Sequence, residues 1–213
     1  MQHPLIQGYL RFRQNRYLEQ QKLYETLAEG QSPKTMIIAC ADSRVDPATI
    51  FDARPGELFV IRNVANIVPP ANQEGAFHGT AAGIEFAATA LGVEEIIVFG
   101  HASCGGIKAC LHDHRQHHQT LSDSKYLGPW VQLADESIRH VLADHHDDEE
   151  SLQTAAEHRS IIDSIERLKE YPFVAERIAD RSLKLGGAWF SVRSGELHWL
   201  DTDSGQFSTI NES

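Results

Sequence analysis

Three short apolar runs limit the folds open to this 213-residue chain: residues 35–40 (TMIIAC), 57–61 (ELFVI) and 94–100 (EEIIVFG). Each is continuous rather than alternating, which is typical of strands buried on both faces. Segments with helical spacing separate them, and alternation of strand and helix predicts a mostly parallel sheet covered by helices. We therefore expect an α/β fold.

The expected architecture is a single domain over residues 1–213. Residues 31–200 form the α/β core, with four parallel strands and a late edge strand drawn from residues 183–192 and 196–200, and residues 201–213 form a tail. Residues 1–30 form a helical arm with a break near Asn15. Because the arm is apolar over several turns, it needs another surface to lie on, such as a second subunit.

Within the core, a helix over residues 74–91 is rich in small residues. Gly79 and Gly83 are costly inside a helix, at about 1 kcal/mol each. They indicate either a close backbone approach to another group or tight packing on the sheet. Further helices are predicted over residues 130–143 and 155–169.

Composition excludes several classes of function. The formal net charge is −11, and no basic run is present that could neutralise phosphates, so nucleic acid is not an expected partner. No apolar stretch reaches membrane-spanning length. The first residues lack the basic and apolar regions of a signal peptide. The three cysteines are an odd number, and two of them are better used as thiolate ligands than as a disulfide. We expect a cytoplasmic protein.

Potential metal ligands lie where the predicted strands end. Cys40 closes the first run, His101 follows the third, and Cys104 opens the next helix. The carboxyl ends of parallel strands share one edge of a sheet, where ligands bind in open α/β folds. Two cysteines and a histidine are three good zinc ligands, one short of a tetrahedral shell. The alternative is that they are buried core thiols and a loop histidine.

Asp42 and Arg44 favour a catalytic zinc site over a structural one. Zinc with two thiolates is formally neutral, so it acidifies a bound water less than zinc held by three histidines. A nearby proton acceptor therefore helps, and Asp42 can serve if Arg44 holds it in a bidentate pair. If Asp42 moved onto the zinc, the site would close with a net negative charge.

The segments CADSRVDP, PGELFVIRNVAN and GHASCGGIKA resemble the hallmark segments of β-class carbonic anhydrases. The resemblance implies one Zn2+ per subunit, held by Cys40, His101 and Cys104, with water or, in a closed state, Asp42 as the fourth ligand. It implies that Asp42 and Arg44 form a catalytic dyad. It also implies a zinc-bound hydroxide that converts carbon dioxide reversibly to bicarbonate and a proton.

The chain is more similar to the plant-like members of that family. The resemblance places the substrate pocket at Gln31, Phe59, Val64, Phe86 and Gly105. Phe86 stands where those relatives carry a tyrosine, so one hydroxyl contact is missing. Because the family pocket lies at a dimer interface, the resemblance implies a homodimer or a dimer of dimers.

Some members carry a second, noncatalytic bicarbonate site that stabilises the closed form. By resemblance to those members, the site requires a Trp, an Arg and a Tyr. The corresponding positions here hold Ile37, Arg62 and Phe190. Only the arginine is retained, and it could act as a local salt-bridge donor instead. We expect no bicarbonate inhibition and an open site near neutral pH.

Two other functions remain open from sequence. The same fold and zinc could hydrolyse CS2 or COS, or the chain could be a catalytically silent scaffold stabilised by zinc. Retention of Asp42 and Arg44 counts against the scaffold, since a structural site needs neither.

The histidines outside the predicted site are concentrated in one region. Eight of the twelve lie between His101 and His146, and four of them are His112, His114, His117 and His118. They could form a second metal site or a proton relay. A solvated surface loop is the preferred interpretation, because charged and amide side chains are interleaved with them.

Overall fold

The computed structural model describes residues 3–72, 78–119 and 121–211 and contains a six-stranded sheet. The strands are β1 (Thr35–Cys40), β2 (Leu58–Asn63), β3 (Glu95–His101), β4 (Lys184–Phe190), β5 (Leu197–Asp201) and β6 (Gln206–Thr209). Their order is β2-β1-β3-β4-β5-β6. The first four are parallel, and β5 and β6 are antiparallel. The predicted α/β fold is confirmed.

Ten α-helices surround this sheet within the described residues. They are α1 (Pro4–Gln14), α2 (Arg16–Glu19), α3 (Gln21–Leu27), α4 (Pro47–Ile50), α5 (Gly79–Glu85), α6 (Gly105–Arg115), α7 (Leu127–Val131), α8 (Asp135–Leu142), α9 (Glu149–Lys169) and α10 (Pro172–Ala179). Short 3-10 turns lie at Val64–Asn66 and Gln132–Ala134, and a π-helix at Phe86–Leu91 continues α5. Residues 74–77 of the predicted small-residue helix lie outside the described residues.

Three local features depart from the sequence analysis. The segment assigned to a tail contains β6, which pairs with β5 across a turn closed by Gly205 at φ 71°. Helix α9 begins earlier than predicted because Asp148 and Ser151 form a capping box. Helix α10, which opens on Pro172, was not predicted.

The helical arm breaks at Asn15, as expected. There the backbone adopts φ −117° and ψ −87°, which ends α1. None of the described residues in α1, α2 or α3 is buried, and Leu5 and Tyr9 are 77% and 57% exposed. The arm therefore does not bury its apolar face against its own core.

The main core lies between the sheet and helices α5, α9 and α10. Gly83 of α5 meets β2 so closely that a Cβ there would lie 1.7 Å from Ile61 Cδ1. Of the two explanations for the small-residue helix, packing on the sheet applies at this position. At Gly79 an added Cβ would meet no heavy atom within 4 Å.

Among the described residues, no helix is both long and apolar enough to cross a membrane.

Candidate metal centre

Two neighbouring parallel strands bring the predicted metal ligands together. Strand β1 pairs with β3, so Cys40 and His101 end at the same edge of the sheet. Cys104 follows in the turn that opens α6. One ligand atom from each residue lies within 4.8 Å of the others, and all three side chains are buried. The sequence analysis predicted this grouping.

The orientation of His101 fits a metal ligand. Its Nδ1 lies 2.9 Å from the carbonyl oxygen of Ala102, which accepts the Nδ1–H and leaves the lone pair on Nε2. That Nε2 is buried without a hydrogen-bond partner. A buried polar atom without a partner is costly, and a cation at this position would remove the cost.

The two sulfurs are also spaced for a shared metal. Cys40 Sγ and Cys104 Sγ lie 3.9 Å apart, much farther than the roughly 2.05 Å of a disulfide. Two thiolates on a tetrahedral zinc, each with a bond of about 2.3 Å, would lie about 3.8 Å apart. The residues present therefore fit a zinc ion with three protein ligands.

The thiols compete for negative charge. The hydrogen bond from Cys104 lowers the pKa of Cys40 to about 4, and the same contact raises the pKa of Cys104. Backbone N–H groups of Gly106 and Ile107, in the first turn of α6, favour the thiolate of Cys104. A dication would let both sulfurs ionise together.

Asp42 lies beside this group and is held by Arg44. The guanidinium donates from Nε to Oδ1 at 2.9 Å and from Nη2 to Oδ2 at 2.7 Å, and the backbone N–H of Arg44 adds a third bond at 2.9 Å. These bonds hold the pKa of Asp42 well below its usual range. Its Oδ2 is 3.9 Å from His101 Nε2, so the carboxylate borders the position where a fourth ligand would bind.

Arg62 fixes the loop that carries this pair. Its guanidinium donates to the carbonyl oxygens of Cys40, Asp42 and Val45 at 3.0, 2.6 and 2.9 Å. It also lies 3.5 Å from Asp46 Oδ1. The local structural role considered for this arginine in the sequence analysis is the one it has in the fold.

Sequence reasoning missed Glu157, which supports Cys104 from helix α9. The backbone N–H of Cys104 donates to Glu157 Oε1 at 2.8 Å, and Trp189 Nε1 donates to Oε2 at 3.0 Å. Glu157 is 3% exposed, and burial raises its pKa. A signal was present, since Glu157 shares the buried helical face of Ile161 and Ser164.

The residues predicted to form the substrate pocket separate into two groups. Gly105 and Val64 lie near the metal ligands, and Val64 packs so close to the start of α6 that a Cβ on Gly106 would lie 2.9 Å from it. Phe59 and Phe86 pack together, with ring centroids 5.8 Å apart.

The second group lies toward the amino ends of the strands. Phe59 pairs with Met36, four residues before Cys40 and so roughly 13 Å along the strand. Gln31 is exposed and precedes β1 altogether. One chain therefore does not place Gln31, Phe59 and Phe86 beside its own metal ligands.

We expect Glu157→Ala to weaken both the fold and the metal centre. It leaves the buried N–H groups of Cys104 and Trp189 without their acceptor, at about 1–3 kcal/mol each in the free energy of unfolding. Zinc affinity should fall about 10–100-fold, as for other groups that orient a ligand. Denaturant unfolding and competition with a chelator measure the two effects.

The matched control is Ser164→Ala on the same helix face, which removes the acceptor of the Val68 N–H. It should destabilise the fold and leave zinc affinity unchanged. Equal zinc affinity in wild type and Glu157→Ala would show that Glu157 only stabilises the fold.

Known proteins are similar to this chain in sequence and in fold. The sequence model of the family described as carbonic anhydrase matches residues 35–197. The chain is 35% identical to the carbonic anhydrase of Synechococcus elongatus over 98% of this chain and 75% of that protein. It is 34% identical to β carbonic anhydrase 3 of Arabidopsis thaliana over 92% of this chain and 75% of that protein.

A solved structure of the β-carbonic anhydrase CcaA covers 97% of this chain and 98% of its own, with a TM-score of 0.89 and 32% identity. A solved structure of a tetrameric β-carbonic anhydrase of Sordaria macrospora matches with a TM-score of 0.70 and 29% identity, and the match covers 92% of each chain. The sequence match spans most of the chain and includes all three metal-ligand candidates. The chain therefore belongs to the β class of the carbonic anhydrase family.

Proposed function

We propose that this protein catalyses the reversible hydration of carbon dioxide to bicarbonate and a proton. The observation that carries the proposal is the buried Cys40–His101–Cys104 group with Asp42, paired to Arg44, on its open side. A purely structural zinc site would use a fourth cysteine or histidine instead. Family membership supports the same reaction.

In this proposal Cys40, His101 and Cys104 hold one zinc ion per subunit. When bound there, zinc would lower the pKa of a coordinated water so that it is nucleophilic near neutral pH. Asp42 orients that water by accepting a hydrogen bond from it. Because Arg44 keeps the pKa of Asp42 low, the carboxylate remains an acceptor and is a poor store for the proton, which passes to solvent or buffer.

We also propose that the working unit is a homodimer or a multiple of it. No residue of the arm helices is buried within its own subunit. Further apolar side chains are exposed near strand β2 and the metal centre: Val60, Val64, Phe86, Tyr126 and Leu127. A second copy across this face would cover them.

Such a dimer would complete the pocket. Gln31, Phe59 and Phe86 lie toward the amino ends of the strands, whereas Cys40 lies at a carboxyl end. In the proposed dimer, these three residues of one subunit would complete the metal site of the other. The apolar rings suit carbon dioxide, which has no net dipole. Hydrolysis of CS2 or COS at the same zinc is the alternative reaction.

The open arrangement of Asp42 is part of the proposal. Arg62 already donates to three carbonyl oxygens of the loop after β1, and the other two positions of the noncatalytic bicarbonate site hold the apolar Ile37 and Phe190. Little remains there to bind bicarbonate. Asp42 therefore stays on Arg44 rather than on zinc.

A reducing, cytoplasmic setting suits this site. All three cysteines are free thiols, and the two in the metal centre are needed as thiolates. Oxidation of either sulfur would remove a ligand. We propose the cytoplasm as the location on this basis.

We expect Asp42→Asn to lower kcat for carbon dioxide hydration by about 10²-fold, because the reacting water would lose the charged acceptor that orients it. Zinc content should be unchanged, because Asp42 is not a ligand in the open site. Stopped-flow hydration assays with metal analysis measure both quantities. Asp144→Asn, at an exposed carboxylate after α8, is the control and should retain full activity. An inactive wild type with full zinc content would favour the scaffold function.

The pairing of Asp42 with Arg44 should persist from pH 8 down to about pH 5. Arg44 holds the pKa of Asp42 below its usual range, so the carboxylate stays ionised over that interval, which lies above the pKa of an ordinary aspartate. Crystal structures of the zinc-loaded enzyme at pH 5.5 and 7.5, with bicarbonate present, test this. Asp42 on zinc, or bicarbonate beside Arg62, would refute the open-site proposal.

Mixed dimers test whether Gln31 completes the site of the other subunit. Asp42→Asn and Gln31→Ala are each expected to impair the homodimer. In a mixed dimer, one site combines Asp42 of one subunit with Gln31 of the other, both intact. Co-expression and tandem purification should therefore recover activity well above either homodimer. Failure to recover it, with mixed dimers present, would place Gln31 outside the shared pocket.

A further inference from the structure

A second group of potential metal ligands lies at the far end of helix α6. His114, His118 and Asp135 each place one ligand atom within 4.8 Å of the other two. Helix α6 begins beside Cys104 and reaches His114 about 15 Å later, at 1.5 Å per residue. The group is therefore separate from the catalytic centre.

The end of α6 is shaped so that these histidines meet. The backbone N–H of His118 bonds to the carbonyl of Asp113 at 2.8 Å, and that of His117 bonds to the carbonyl of His114 at 3.0 Å. This is a Schellman motif, in which His117 and His118 adopt φ of 52° and 61°. The turn brings the ring of His118 back to 5.5 Å from that of His114.

A buried carboxylate orients His118. Its Nδ1 lies 3.2 Å from Oδ2 of Asp113. Asp113 is 1% exposed, and its Oδ1 accepts the N–H of Leu121 at 2.9 Å. A carboxylate only accepts hydrogen bonds, so His118 donates through Nδ1–H, which leaves Nε2 as its ligand atom.

That ligand atom faces a second carboxylate. Nε2 of His118 lies 3.6 Å from Oδ2 of Asp135, and the other oxygen of Asp135 lies 2.8 Å from Nδ1 of His114. A metal ion between Nε2 and the carboxylate would accept both lone pairs. The separations of 2.8 and 3.6 Å bracket the value of about 3.3 Å for two N or O ligands on a tetrahedral zinc ion.

We propose that His114, His118 and Asp135 form a second binding site for a divalent metal ion of the zinc class. Two imidazoles and a carboxylate are ligands that suit Zn2+ and its neighbours in the first transition row. The side chains are 22%, 40% and 23% exposed, so the ion can enter and water can complete its shell. Asp113 then takes the place of the carboxylate that orients a metal-binding histidine.

The site would link helix α6 to helix α8, which are separate segments of the chain. His114 and His118 belong to the end of α6 and its turn, and Asp135 opens α8. A bound ion would tie these elements together and raise the thermal stability of the enzyme, because it binds the folded state alone. A proton on His118 is the competing occupant, and it would give an ordinary ion pair with Asp135.

Isothermal titration of Zn2+ into the enzyme already saturated at its catalytic centre tests the proposal. Wild type should bind one further ion per subunit, and metal analysis after dialysis against low zinc should agree. His114→Gln and His118→Asn should abolish this second binding event. Asp113→Asn, which keeps the ligands and removes the orienting charge, should weaken it about 10–100-fold.

His117→Asn is the matched control. Like His118→Asn, it replaces a histidine at positive φ with asparagine, which tolerates that backbone conformation, but His117 is exposed and is not one of the proposed ligands. It should bind the second ion as wild type does. Retained carbon dioxide hydration, with catalytic zinc in place, shows that each variant is folded. Absence of a second site in wild type, or its persistence in both His114→Gln and His118→Asn, would overturn the proposal.

Discussion

The metal centre depends on the parallel pairing of β1 with β3. Because the register sets Thr35 opposite Glu95, both strands finish at the same edge, and Cys40 and His101 meet there without any long loop. Two charged side chains then hold the turns beyond the strands. Arg62 binds the carbonyls after β1, and Glu157 accepts the N–H of Cys104. The centre is thus built on hydrogen-bonded backbone, which suits the proposal that one position of the site stays open.

Much of this arrangement could be predicted from sequence because it is local or follows from strand order. Continuous apolar runs identify buried parallel strands, and ligands at their carboxyl ends must converge. The pairing of Asp42 with Arg44 needs only a two-residue spacing. The break of the arm at Asn15 was also visible, since helical spacing is interrupted there.

The rest depends on contacts that sequence spacing does not encode. Glu157 reaches Cys104 from 53 residues away. The contact between His114 and His118 needs a left-handed turn, which no glycine in the sequence indicates. The interleaved charged and amide residues favour a solvated loop instead. The predicted pocket residues were assigned to one site, but a single chain places Gln31 and Phe59 away from Cys40. The proposed dimer would bring them together. The family resemblance implies such a dimer, but the spacing of residues along one chain does not give its symmetry.

Strand β2 is at the end of the sheet, and its order of residues, LFVIRN, leaves Val60 more than a third exposed. An uncovered apolar edge strand can pair with the edge of any other sheet and so promotes aggregation. Association of subunits over β2 would therefore also protect this enzyme in the crowded cell. If the proposed dimer forms over β2, a separated subunit would lose that protection together with the shared pocket, so dissociation would lower solubility as well as activity.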